Sequence, residues 1–72
     1  MDVYVDWNDG NGKHILPVPA GTTVFRLYQL AGGHDGQAMH YHADVDRESI
    51  TNWSKKVLRA GQTVSFKKQL SD

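Results

Sequence analysis

The sequence predicts an α+β domain in which four strands pack on one central helix, and three observations carry that expectation. Ala20 to Gly33, A-G-T-T-V-F-R-L-Y-Q-L-A-G-G, is the only segment with every mark of a helix. The segments around it mostly alternate apolar and polar residues, the period of a half-buried strand. A lone amphipathic helix must cover its apolar stripe, and a sheet is what the rest of the chain can supply.

Within the helix, Val24, Leu27, Tyr28 and Ala31 follow the i, i+3, i+4, i+7 rule and share one stripe. Thr22 or Thr23 can cap its start by accepting a bond from a free amide of the first turn. Gly32 and Gly33 end it, because glycine takes the left-handed closing turn at little cost. Burying its three large side chains is worth about 1.5–3 kcal/mol each, a large share of a small domain's stability.

Asp2 to Trp7 reads as the first strand, with Val3, Val5 and Trp7 on one face and Asp2, Tyr4 and Asp6 on the other. Asn8-Asp9-Gly10-Asn11-Gly12 holds both Asp-Gly and Asn-Gly, strong hairpin signals. Lys13 to Val18 returns as the second strand. Pro17 and Pro19 both lack an amide proton and face one edge, which places this strand at the border of the sheet. After the helix, His34-Asp35-Gly36 is a turn. Gln37 to Ala43 reads as the third strand, with Met39 and Tyr41 on one face and Ala38, His40 and His42 on the other. Asp44 to Arg47 reads as a loop. Ile50, Trp53, Val57 and Leu58 fit a short helix or 3-10 segment between Ser49 and Leu58. Gln62 to Lys68 is the last strand, with Val64 and Phe66 inward and Ser65 and Lys67 outward.

Seventy-two residues make one domain, 1–72, with no linker or low-complexity stretch to divide it. A chain this short buries only about 60–65% of its unfolded surface. It has no cysteine, so neither disulfides nor thiolate chemistry enter. With no long apolar run and no signal-peptide pattern, the expectation is a soluble, cytoplasmic protein away from membranes. The formal charge is zero but unevenly spread. Residues 1–46 hold six Asp against Lys13 and Arg26, a net of −4, while residues 47–72 carry +4. The bland reading is solvated surface; the sharper one is a basic face that meets an acidic partner.

The order of elements, a hairpin and a helix followed by further strands, resembles the β-grasp arrangement of ubiquitin-like proteins. Ala20-Gly21-Thr22-Thr23-Val24 with Leu27 and Leu30 resembles the entry into the central helix of the small sulfur carriers of thiamine and molybdopterin biosynthesis. Trp53, Val57-Leu58, Gly61 and Val64 resemble the run that precedes their last strand. The resemblance spans Val3 to Phe66 and implies a four-stranded mixed sheet with first and last strands adjacent. Two departures stand against the carrier activity. Gln62 replaces the Asp usual after the glycine. Ser71 and Asp72 stand where those proteins carry the Gly-Gly that is adenylated and thiolated. The fold carries over and the activity does not.

No other chemistry assembles in the sequence. His40 and His42, with His34 and Asp35 nearby, have a spacing that can bring imidazoles to one metal, but zinc takes three or four ligands and histidines on an open strand face are ordinarily surface. No metal or cofactor is expected. Asp6, Asp9, Asp44 and Asp46 lack a pocket in which to pair as acid and base. Ser49, Ser54, Ser65 and Ser71 lack a nucleophile elbow. Lys55, Lys56, Arg59, Lys67 and Lys68 would be the phosphate contacts of a nucleic-acid binder, which a neutral chain with few aromatics among its lysines disfavours. Phe25 lies off the helix stripe beside Arg26, and Tyr4 points away from Val3 and Val5, as exposed binding aromatics do. The expectation is a small non-catalytic module, monomeric or weakly self-associating, that binds another protein as an adaptor or inhibitor. An inhibitor of a host or defence complex, of the sort mobile elements encode, is compatible with it. The helix covers one face of the sheet, so the open face is the expected contact, with Tyr4, His40, His42, Ser65 and Lys67 as its residues.

Overall fold

Strand β1 (Asp2–Asp6) alternates as its residues dictate: Val3 and Val5 are buried, while Asp2, Tyr4 and Asp6 turn the other way. The computed structural model describes residues 1–69, so the expectations resting on Ser71 and Asp72 lie outside the described residues. After β1 come β2 (Lys13–Pro17), α1 (Val24–Leu30), a 3-10 helix (Asp35–His40), β3 (Tyr41–Val45), β4 (Glu48–Ile50) and β5 (Thr63–Lys68). Together they form a small α+β fold. Its mixed five-stranded sheet has the order β2-β1-β5-β3-β4. β1 runs parallel to β5, and the other three pairings are antiparallel. Among the described residues, no helix is long and apolar enough to cross a membrane.

The β1–β2 hairpin, the border position of β2 and the adjacency of first and last strands agree with expectation. In the connecting loop, Asn8, Gly10 and Gly12 have positive φ. The Asn11 amide bonds Asp9 Oδ1 at 3.0 Å and holds that carboxyl below its ordinary range. The helix is shorter than its sequence stretch. Thr23 is its cap, accepting from the Arg26 amide at 3.2 Å, while Thr22 is buried and donates to the Pro19 carbonyl at 2.6 Å. Gly32, at φ 97°, closes it.

Three expectations are corrected. The sheet has five strands rather than four, because Asp44 and Val45 continue β3 instead of looping and Glu48–Ile50 turns back as β4. Three residues are too few to show an alternation in sequence. The third strand starts at Tyr41 rather than Gln37. The Gln37 amide bonds the His34 carbonyl at 2.9 Å, which winds Asp35–His40 into a 3-10 helix, and pairing with β5 begins at Tyr41↔Lys68. Finally, no helix forms between Ser49 and Leu58. The carbonyls of Trp53 and Lys56 are taken by the amides of Phe25 and Val24, at 3.2 and 3.0 Å, and Leu58 N bonds Thr22 O at 2.8 Å. Residues 53–58 are thus spent on the open end of α1, where unsatisfied first-turn amides need acceptors.

Val24, Leu27 and Tyr28 of α1 join Val3, Val5, Val18, Ala43, Val45, Leu58, Val64 and Phe66 in one core. Tyr28 is 1% exposed and its ring lies within 6.5 Å of five other aromatic rings: Trp7, Phe25, Tyr41, Trp53 and Phe66. Its hydroxyl donates to the His34 carbonyl at 2.7 Å, so the buried polar end is satisfied. Gly33 lies flat against this ring: a Cβ there would stand 2.5 Å from Tyr28 Cε1 and Cζ. Gly33→Ala is therefore expected to destabilise by about 1–3 kcal/mol through overpacking. Gly36→Ala, where a Cβ meets nothing within 4 Å, is the matched control. Urea unfolding of the two variants checks this, and equal midpoints would refute the packing account.

Burial raises the Tyr28 pKa above its ordinary 10.0, with Tyr41 adding to the effect. A pKa higher in the folded than in the unfolded state means that the unfolded chain gives up the proton first. Stability from this group is whole below about pH 10 and falls as pH rises toward the folded-state pKa. Between about pH 9.5 and 11 the melting temperature should fall more steeply for the wild type than for Tyr28→Phe, which has no proton to lose there.

Candidate functional site: the uncovered face of the sheet

The parity that buries Val3, Val5, Ala43, Val45, Val64 and Phe66 sends the residues between them to the opposite face. Pairing registers place Lys13, Asp6, Ser65, Asp44 and Ser49 side by side, a polar row that crosses all five strands. Beside it, Ile15, Tyr4 and Thr63 form a second row. His42 pairs with Lys67 in a third. The face bears a shallow groove of about 680 Å³ lined by Asp6, Asn8, Lys13, Asp44, Asp46, Arg47, Thr63, Ser65 and Lys67.

Four of the five expected contact residues, Tyr4, His42, Ser65 and Lys67, lie on this face. His40 does not join them. It ends the 3-10 helix rather than occupying β3, and its carbonyl accepts from Gln69 N at 2.6 Å. The expected strand spacing of His40 and His42 is lost with it. Among the described residues no three His, Cys, Asp or Glu side chains are grouped to hold a metal ion.

The polar groups of the face are organised by one another. Asp6 Oδ1 accepts from the Asn8 amide at 2.8 Å, and Asn8 Nδ2 donates to Ser65 Oγ at 2.7 Å and to the Phe66 carbonyl at 3.0 Å. Asn8 thereby clips the end of β1 to β5. Asp46 Oδ1 accepts from the Thr63 amide at 2.9 Å, so its carboxylate holds the β3–β4 turn onto β5. Lys13 Nζ stands 5.0 Å from the centre of the Tyr4 ring, close enough for a cation–π contact. His42 Nε2 lies 3.0 Å from Asp44 Oδ1 and 3.1 Å from Ser49 Oγ. Ser, His and Asp meet here, but in a geometry unlike that of a catalytic triad. A triad needs one imidazole nitrogen for the carboxylate and the other for the hydroxyl. Here both partners compete for Nε2.

Of the groove's lining residues only Ser65 and Lys67 are among the expected contacts, and Asn8 and Arg47 are the least legible of the others. Asn8 carries a hairpin signal but no hint of its bond to Ser65. Arg47 falls in the stretch whose sequence predicts a loop. It is the second residue of the β3–β4 turn, where Asp46 has φ 49° and Arg47 φ 73°. Two successive positive φ values give a two-residue hairpin the twist its strands require. Arginine has no local reason to occupy such a position, which favours glycine or asparagine. No protein-family model matches the chain, and no curated protein matches it. Arg47→Gly should raise stability by about 0.5–1 kcal/mol, the left-handed strain relieved less the entropy glycine adds to the unfolded chain. A denaturation midpoint unchanged or lowered relative to wild type would show that Arg47 is not strained.

Proposed function

We propose that this chain is a β-grasp domain that works without catalysis, by binding another protein through the open face of its sheet. The sheet order, the parallel pairing of β1 with β5 and the single α-helix packed on the inward face support the β-grasp reading. The observation that carries the binding reading is Arg47. Arg47, whose side chain makes no hydrogen bond or ion pair among the described residues, stands at φ 73° at the rim of a groove whose carboxylates are already engaged. Of the three described non-glycine residues with positive φ, Asn8, Asp46 and Arg47, only the arginine lacks the short polar side chain that tolerates it, and strain of that kind supports a functional reading. Asp6 and Asp46 bond backbone amides and Asp44 faces His42, whereas His42–Asp44 is the one salt-bridge-distance pair among the described residues. Lys13, Arg47 and Lys67 are left to reach outward. Such a surface suits an adaptor or inhibitor, whose interface rim tolerates water and charge.

Affinity capture from the source cell with the tagged full chain tests this reading. A specific partner should be retained by the wild type and lost with Lys67→Glu or Tyr4→Ala, whose circular dichroism and melting should remain those of the wild type. Capture that is equal for wild type and both variants would remove the open face from the proposal.

A further inference from the structure

The opposite side of the molecule carries a second surface of different chemistry. A shallow, open cleft of about 360 Å³ lies between α1, the 3-10 helix and the 51–54 turn, with Phe25, Ala38, Met39, Tyr41 and Trp53 as its apolar lining and Thr51, Asn52 and Ser54 at its polar side. No charged residue among the described ones lines it. Met39 is 77% exposed, the most exposed large apolar side chain among the described residues. A methionine there is an adaptable contact that gains nothing for the fold.

Several observations define what would fill the cleft. Phe25 and Trp53 each pack on the buried Tyr28 ring, with centroids 6.5 and 5.4 Å away, and Phe25 N bonds Trp53 O at 3.2 Å, so two aromatic walls are anchored on the core. Preorganised aromatics lose little entropy on binding and make good anchoring pockets. The charged residues next to the lining in sequence are basic. Arg26 follows Phe25, Lys55 and Lys56 follow Ser54, and the chain holds no Asp or Glu from Ser49 to Ser71. Asp35, the one acid on the 3-10 helix, has both carboxylate oxygens bonded by Gln29 Nε2, at 3.0 and 3.1 Å. The same Gln29 accepts from Arg26 Nη1 at 3.3 Å. The acid is thus engaged within the molecule, while Lys55 and Lys56 have no carboxylate within salt-bridge distance among the described residues.

We propose that this cleft binds an acidic protein segment that inserts an apolar side chain between Phe25, Met39 and Trp53 and sets its carboxylates against Arg26, Lys55 and Lys56. The inference goes beyond the open-face reading and uses none of its residues. One contact surface would then lie on each side of the sheet, the polar one on the uncovered face and the anchoring one beside the helix.

The test uses the full chain labelled with nitrogen-15 and two short synthetic peptides. Each carries one phenylalanine and two leucines, flanked in one by glutamates and in the other by lysines. The glutamate peptide should shift the amide resonances of Phe25, Met39 and residues 51–54. Met39→Glu should weaken its binding by about tenfold or more, as loss of a central contact does. Lys55→Glu should weaken it as well, and added salt should do so progressively. Lys67→Glu should bind it like the wild type, which separates this site from the open face. Met39 is exposed, so Met39→Glu should keep the dispersed spectrum of the folded chain, and Lys55→Glu serves as the second variant if it does not. Absence of binding, equal binding of the lysine peptide, or shifts centred on Tyr4, Ser65 and Lys67 would each overturn the proposal.

Discussion

The burial of Tyr28 is the constraint from which the rest of the architecture follows. Its ring is the meeting point of the helix with Phe66 on β5, Tyr41 on β3, Trp7 beyond β1 and Trp53 in the segment before β5. Trp7 in turn stacks on Phe66 with centroids 4.9 Å apart and planes at 28°. A domain of this size has few residues with which to build a core, and a cluster of large rings buries more area per residue than aliphatic side chains can. Such a ring also has a polar end that must be satisfied. The bond to the His34 carbonyl does this, and it ties the chain leaving the helix back onto the helix. Gly33 lets the backbone pass over the ring on the way. The turn, the close approach and the hydrogen bond are thus consequences of one buried side chain.

Local sequence signals were legible where a residue's own chemistry decides its conformation. Thr23 caps, Gly32 closes, Pro17 marks the border strand, and the valines of β1 alternate. Signals failed where tertiary hydrogen bonding decides instead. Residues 37–43 alternate in sequence, yet only 41–43 find a partner strand, and the rest close on His34 as a 3-10 turn. The apolar spacing of Ile50, Trp53, Val57 and Leu58 looks helical. The carbonyls such a helix would need are bonded to the start of α1. β4 was hidden for a further reason. Its turn has neither glycine nor asparagine, so Asp46-Arg47 gave no hairpin signal even though its backbone adopts the hairpin conformation.

The same division governs the candidate site. Parity is a reliable guide to which face a residue occupies once its strand exists, and Tyr4, His42, Ser65 and Lys67 share a face for that reason. His40 left that set because its strand begins one residue later. What parity cannot reveal is which polar groups are consumed internally. Asp6, Asp44, Ser65 and Lys67 all read as exposed and polar in the sequence. In the fold, the Asp6 carboxylate is engaged by Asn8, whose side chain also holds Ser65, and Asp44 faces His42. The same polar composition thus divides into groups that hold the sheet and groups that project from it. Only the projecting set is available to recognise anything.

The two sides of the sheet differ in how a partner could be gripped. On the open face two rows are of polar side chains and another holds Tyr4 and Ile15, and the second of these is 59% exposed. Recognition there would depend on matching charge, which sets partner choice and association rate more than affinity. Beside the helix the order is reversed. The aromatic cluster that stabilises the core continues outward through Trp53 and Phe25 to the exposed Met39, so the wall of the cleft is the outer shell of the core itself. Three of its lining rings, Phe25, Tyr41 and Trp53, pack directly on Tyr28. A contact built on such a wall inherits the rigidity of the fold. One built on the long side chains of Lys13, Arg47 and Lys67 must first order them.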